Sequence, residues 1–220
     1  MKNNKFIFIM DFDGVILDSN EIKIIAYKKT IEKFGNPIIS EFIKYHLQNP
    51  GISRYVKFRY LYENILNKPY TENDINLLAD SFSKLVAEEI LRVPMINGVK
   101  EFLEKYYQNN DIYVVSGTPE IELKDIVEKR NLKKYFKEIY GAPVFKKEHI
   151  AKIIKDNSEI AKNNFYFFGD GSTDYFAASS NNIAFIGILN QHNKELFLKL
   201  AEEKKAKIIN DFFEIINYFE

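Results

Sequence analysis

The sequence predicts an α/β fold in which a parallel sheet forms the core and an all-helical subdomain is inserted after the first strand. Three observations lead there. Phe6 to Met10 is an unbroken apolar run, the pattern of a strand buried on both faces of a parallel sheet. Between about 18 and 92 the chain carries four segments of helical spacing and no strand pattern. From Asn97-Gly98 onward strand and helix patterns alternate, which implies parallel strands joined by right-handed crossovers.

The first strand ends abruptly in Asp11 and Asp13, with Gly14 to let the chain turn. Glu21 to Phe34 reads as a helix stopped by the breaker cluster Gly35-Asn36-Pro37. Ile38 to Leu47 is a short amphipathic piece closed by Asn49-Pro50-Gly51. Ser53 opens Arg54 to Leu66, where Tyr55, Phe58, Leu61, Tyr62 and Ile65 fall at helical spacing, a core face rather than a stacking surface for a base or sugar. Thr71, with Asp74 three residues on, is a capping pair that opens a helix to about Leu91. Val99 to Gln108 is a helix, and Ile112 to Val115 a strand ending in Ser116-Gly117-Thr118. Thr118 suits the cap of the next helix, Pro119 to Arg130, with Pro at its first position.

Glu138-Ile139-Tyr140 is a short strand, followed by Gly141-Ala142-Pro143 and a helix over about 147–156. Phe165 to Phe168 is a second buried-type strand, running into Gly169-Asp170-Gly171-Ser172-Thr173-Asp174. A helix to about Ser180, a strand at Ile183 to Ile186, a helix over 193–204, a strand at Lys207 to Ile209 and a final helix complete the chain. The expected division is a Rossmann-like core of residues 1–17 and 93–220 with a helical cap at 18–92.

Composition narrows the function classes. Hydrophobic residues make up 46% of the 220, enough for a sizeable core, and charged residues 28%, ordinary for a soluble protein. Lys and Arg total 31, as do Asp and Glu, so no net field favours nucleic acid or an anionic membrane. With no cysteine, disulfides, thiol catalysis and Cys-ligated metal sites are excluded. Lysines ahead of the first apolar run faintly suggest a signal peptide, but the run is short and no small-residue cleavage site follows. No stretch approaches the roughly 18 apolar residues of a membrane span. The expectation is a cytoplasmic protein with a small-molecule substrate, its oligomeric state open.

Parallel sheets bind ligands at the carboxyl ends of their strands, and polar groups recur there: Asp11 and Asp13, Ser116, Lys146, Asp170 and Asp174. Carboxylates at i and i+2 of an extended chain lie on one side, where they repel each other unless a cation joins them. A solvated strand end or turn is the bland alternative. An EF-hand calcium loop is not, because its Gly comes sixth and here it comes fourth. Several carboxylates with one hydroxyl and one lysine suit a Mg2+-bound phosphate, since Mg2+ takes one or two carboxylates plus phosphate and water oxygens. The lysine and hydroxyl then hold phosphoryl oxygens that the carboxylates alone would repel.

Asp11-Phe12-Asp13-Gly14-Val15, Ser116-Gly117-Thr118-Pro119, Lys146 and Gly169-Asp170-Gly171-Ser172-Thr173-Asp174 resemble the four ordered motifs of the haloacid dehalogenase-like hydrolase superfamily. The likeness covers nearly the whole chain. The inserted helices resemble the cap of its phosphoglycolate phosphatase and beta-phosphoglucomutase branch. The resemblance implies a phosphomonoester hydrolase working in two steps, with Asp11 as nucleophile and an aspartyl-phosphate that water later cleaves. Asp13 is then the acid and base, a role that asks for a pKa above the ordinary Asp value. Mg2+ is held by the Asp11 carboxylate, the Asp13 backbone carbonyl and Asp170, with Asp174 as a ligand or an anchor behind it. Ser116, with Gly117 and Thr118 beside it, binds phosphoryl oxygens, and Lys146 neutralises developing charge.

Alternatives stay open at several positions. Lys147 stands beside Lys146, which is preferred because it lies three residues after Pro143, in the Gly-X-Pro-X-X-Lys form of this loop. Ser116 and Asp174 could be helix caps only. In the cap, Gly51-Ile52-Ser53-Arg54 is the most site-like segment, and Ser53 and Arg54, with Lys57 as a further candidate, are expected to contact the leaving group, against the plainer reading of a cap beside a surface arginine. His46, His149 and His192 have no metal-ligand spacing and read as structural or surface residues. Asp13 argues against the dehalogenase branch, and no cap lysine can be singled out for phosphonate chemistry. A mutase of the beta-phosphoglucomutase kind and a phospho-accepting switch are the rival functions.

Overall fold

The computed structural model describes residues 5–219; Lys2, one of the lysines ahead of the first apolar run, lies outside them. Six strands form one parallel sheet: β1 (Ile7–Met10), β2 (Asp111–Pro119), β3 (Glu138–Ala142), β4 (Phe165–Gly169), β5 (Ala184–Ile188) and β6 (Lys207–Ile209). Their order is β3-β2-β1-β4-β5-β6, so β1 lies inside the sheet between β2 and β4. The strand order turns back at that point, and a crevice opens beyond the carboxyl end of β1.

The apolar run works on both faces. Ile7 and Ile9 pack into one buried cluster, while Phe8 and Met10 pack into the other. Alternation along a strand sends successive side chains to opposite faces, so an unbroken apolar strand requires both faces to be covered. Phe8 meets the rings of Phe102, Phe168 and Phe219 at 5.2, 6.0 and 4.8 Å between centroids.

Between β1 and β2 lie α1 (Asn20–Thr30), α2 (Asn36–Gln48), α3 (Arg54–Tyr60) and α4 (Glu72–Val86). The helix expected over Glu21 to Phe34 ends earlier, at Thr30, and a 3-10 turn at Glu32–Phe34 carries the chain to Gly35. Only Gly35 breaks the path, since Asn36 and Pro37 already open α2. The Thr71–Asp74 capping box is formed, but α4 stops at Val86 and only a 3-10 turn at Glu89–Leu91 follows. Beyond α3 the chain widens into a π-helical turn at Leu61–Leu66. Phe58 and Leu61 are fully buried, and Tyr55 and Tyr62 pack against the same cluster, so this stripe is a core face. The chain leaving β1 and the chain returning to the core run side by side, with Asp18 N donating to Pro94 O at 3.0 Å and Ile96 N to Ile16 O at 3.1 Å.

The remaining helices are α5 (Val99–Tyr106), α6 (Glu120–Lys129), α7 (Lys146–Asp156), α8 (Ser172–Ser180) and α9 (Lys194–Glu202). Two expectations need correction. Thr118 does not cap α6: the cap is Pro119, because β2 continues irregularly to Pro119 and carries Thr118 into the crevice. The expected final helix is only a 3-10 turn at Phe212–Ile215, too short to develop α-helical hydrogen bonding. Among the described residues no helix is long and apolar enough to cross a membrane.

Because Phe8 fills the centre of the aromatic cluster, Phe8→Ala should cost about 3–5 kcal/mol in urea unfolding. A loss below about 1 kcal/mol would show that the sheet does not depend on that face.

Candidate active site

The carboxyl end of β1 delivers Asp11 into the crevice with its backbone N–H bonded to Phe168 O at 2.9 Å. Asp170 follows β4, and Asp174 lies in the first turn of α8. Oxygens of Asp11, Asp170 and Asp174 lie within 4.8 Å of one another, and all three residues are buried. Lys146, at the start of α7, reaches Asp11 Oδ2 and Asp174 Oδ1, each at 2.6 Å. Lys147 is exposed, so the sheet brings Lys146 rather than its neighbour to the carboxylates.

Three carboxylates against one ammonium leave two negative charges without local compensation. Burial raises the Asp11 carboxyl well above its ordinary range, and Asp174, Asp170 and Asp13 add to the rise while Lys146 opposes it. Burial, then the charge of Asp174, pushes Asp170 up to about 7, with the Asn20 amide pulling the other way. Lys146 moves up, because the charges of Asp11 and Asp174 outweigh the burial that would lower it. An all-oxygen donor set with a double negative excess fits a hard divalent cation such as Mg2+.

Asp13 is turned elsewhere. Its carboxylate accepts from Ser19 Oγ at 2.6 Å, from Thr118 Oγ1 at 3.1 Å and from the ammonium of Lys23 on α1. Burial would raise its pKa, but the charge of Lys23 and the three hydrogen bonds bring it below the usual value. This corrects the expectation of a raised pKa; the Asp13 side chain lies outside the three-carboxylate cluster, and the expectation had put only its backbone carbonyl at the metal.

Two glycines make the geometry possible. Gly14 has φ +72°, and a methyl group there would lie 2.0 Å from Asp170 Oδ2. A methyl on Gly117 would lie 2.5 Å from Gly51 O, so the loop ahead of α3 rests directly on the Ser116-Gly117 turn. The register of β2 against β3 shifts between Val115 and Pro119, the kind of irregularity that re-aims side chains. Ser116 Oγ is buried there and accepts from Thr118 N at 3.1 Å, a bond within the loop rather than a helix cap. Asp174 does cap as well as cluster, its Oδ2 accepting from Gly171 N at 3.0 Å.

These groups open on a cavity of about 470 Å3 lined by Asp11, Asp13, Ser116, Gly117, Thr118 and Asp170 from the core side. The helices between β1 and β2 supply the facing wall. Arg54 lines it, but its guanidinium is bonded to both oxygens of Glu122 on α6, at 2.9 and 2.7 Å, and to Ser83. Ser53 lines a neighbouring cavity of about 370 Å3 instead.

Several lining residues were not singled out from the sequence. Asn20 and Lys23 stand one turn apart on α1, where Asn20 donates to Asp170 Oδ2 at 2.7 Å. Asn190, just past β5, donates to the same oxygen at 3.1 Å, and Asn193 holds the Asp170 carbonyl at 2.8 Å. Extending the strand-end rule to β5 would have found these two asparagines. His46 is buried rather than at the surface, and its Nδ1 lies 2.7 Å from Lys57 Nζ. His149 bonds Gly141 O at 3.0 Å, a structural contact.

No curated protein matches the chain by sequence. Among solved structures it is similar to a predicted phosphoglycolate phosphatase from Haemophilus somnus 129PT, with TM-score 0.73, 18% identity and all of both chains covered. It is also similar to a beta-phosphoglucomutase from Clostridium difficile, with TM-score 0.74 and 20% identity over 98% of this chain and 96% of the other. The HAD-hydrolase YfnB from Bacillus subtilis, bound to magnesium, matches at TM-score 0.67 and 14% identity over 98% of this chain and 99% of that one. At such identities the likeness establishes a common fold and no more. The family model for haloacid dehalogenase-like hydrolases matches residues 8–188, and with that match the chain belongs to this family.

Proposed function

We propose that the chain is a Mg2+-dependent phosphomonoester hydrolase that acts on a small phosphorylated metabolite through an aspartyl-phosphate. The observation that carries the reading is the buried set of Asp11, Asp170, Asp174 and Lys146, whose charge is incomplete without a divalent cation. We further propose that residues 1–17 and 93–220 form the catalytic core and 18–92 the cap.

Asp11, Asp170 and Asp174, with the backbone carbonyl of Asp13, would hold Mg2+. Bound there, the ion supplies charge neutralisation for the phosphoryl oxygens. An Asp11 oxygen attacks phosphorus as the bond to the leaving oxygen breaks, and Asp13 gives that oxygen a proton. In the second half Asp13 takes a proton from water, the water oxygen bonds to phosphorus, and the Asp11 carboxylate is released. Ser116, Gly117 and Thr118 cradle phosphoryl oxygens, and Lys146 offsets the charge that develops on them. Lys23 keeps Asp13 ionised, which suits the base half, so the acid half requires the two to part. Ser53 and Arg54 act from the cap side, Arg54 chiefly by tying α3 to α6 through Glu122.

A panel of phosphorylated metabolites with Mg2+, read by inorganic phosphate release, tests this reading. Multiple turnover is expected, and Asp11→Asn should reduce it on the order of 10³-fold or more. Isomerisation with little release would make the chain a mutase, and a single phosphorylation without turnover a phospho-accepting switch; either would contradict the hydrolase reading.

The raised Asp170 makes a second prediction. Between about pH 4 and pH 7 the folded metal-free protein keeps a proton that the unfolded chain releases, so this group's contribution falls as pH rises through that window. Asp170→Asn should therefore raise metal-free stability at pH 8 by about 1–4 kcal/mol while abolishing turnover. A variant less stable than the parent at pH 8 would show that the carboxylate is not held against its own repulsion.

A further inference from the structure

The wall of the 470 Å3 cavity carries a buried lysine that the chemistry at Asp11 does not use. Lys57, on α3, is 1% exposed and lines the cavity. Its Nζ lies 2.7 Å from His46 Nδ1, donates to Pro50 O at 3.1 Å and stands 5.5 Å from the centre of the Tyr27 ring. None of these three contacts supplies a carboxylate.

The other cations of this cavity are differently placed. Lys23 is paired with Asp13, Arg54 with Glu122, and the His192 ring with Glu21. Lys199 is exposed at the rim, where water serves it. Among the described residues, Lys57 is the buried cation of the cavity wall that has no carboxylate partner. A buried ammonium without a counter-charge is costly, and a chain could avoid that cost with an apolar residue. Burial, reinforced by Lys23 and only partly opposed by the more distant charge of Asp13, holds the amine well below the ordinary lysine range, and an anion placed against it would restore the charge. His46, kept neutral by burial and by Lys57, orients the amine without competing for an anion.

We propose that Lys57, oriented by His46 and Pro50 O, is the specificity-determining cation of a subsite for a second anionic group on the substrate. The inference rests on the phosphomonoester reading and deepens it. The phosphoryl group lies against Asp11 and Ser116, and a carboxylate or second phosphate on the leaving alcohol lies against Lys57, in the same cavity. The cavity falls within the size range of small-molecule sites, so one compact molecule can meet both sets of residues.

Matched pairs of esters separate the possibilities. 3-Phosphoglycerate against glycerol 3-phosphate tests a carboxylate, and fructose 1,6-bisphosphate against fructose 6-phosphate tests a second phosphate. The wild-type protein should favour the doubly anionic member of at least one pair by about 30-fold in kcat/KM, mostly through KM. The pair that shows the preference identifies the anion. In Lys57→Met and Lys57→Gln that selectivity ratio should collapse toward one. Turnover of all four esters with flat ratios in the wild-type protein would overturn the subsite and leave the hydrolase reading standing. An unchanged ratio in both variants would likewise overturn the role of Lys57. No release from these esters or from a generic aryl phosphate would instead overturn the hydrolase reading beneath it.

Discussion

Like charges packed out of water are what the rest of this molecule is arranged to hold. Asp11 comes from one end of the chain and Asp170 and Asp174 from a single motif far downstream, yet their oxygens lie within 4.8 Å of one another with one lysine between them. Repulsion and lost hydration both oppose that grouping. It persists because each carboxylate sits on a rigid element: the inner strand β1, the end of β4 and the first turn of α8. The aromatic packing of Phe8, Phe102 and Phe168 fixes the ends of β1 and β4, so burial in the core supplies the free energy that the site consumes.

The helices between β1 and β2 complete the cavity from the other side. Their loop from Asn49 to Ser53 lies on the core, with Gly51 over Gly117 and Ser172 Oγ donating to Gln48 O at 3.2 Å. The Arg54–Glu122 pair ties the two sides through charge-assisted hydrogen bonds, and Arg54 is buried while Glu122 is partly exposed. The carboxylates and Lys146 come from the ends of β1 and β4 and the first turns of α7 and α8, whereas Lys57, His46, Lys23 and Asn20 come from the helices between β1 and β2.

Much of this was legible in the sequence because the signals were local. The apolar run at Phe6–Met10 and the Thr71–Asp74 box each depend on a few neighbouring residues, and each formed as read. Asp11, Asp170, Asp174 and Lys146 were found together because strand ends in a parallel sheet converge. The failures were tertiary. Thr118 reads as a cap, but the irregular end of β2 hands its hydroxyl to Asp13. Nothing near Asp13 in sequence announces that Lys23 will pair with it, since the contact depends on how α1 leaves the core. Nor does sequence spacing reveal that Arg54 already has Glu122, 68 residues away, or that Lys57 has no bonded carboxylate among the described residues.

The most direct test of the central claim is a titration of the metal-free protein with Mn2+ in place of Mg2+, with free ion counted by electron paramagnetic resonance. One ion should bind per chain, and Asp170→Asn and Asp174→Asn should each weaken it about 10- to 100-fold. Binding that is absent at millimolar Mn2+, or unaffected by either substitution, would mean that the three carboxylates do not share a cation.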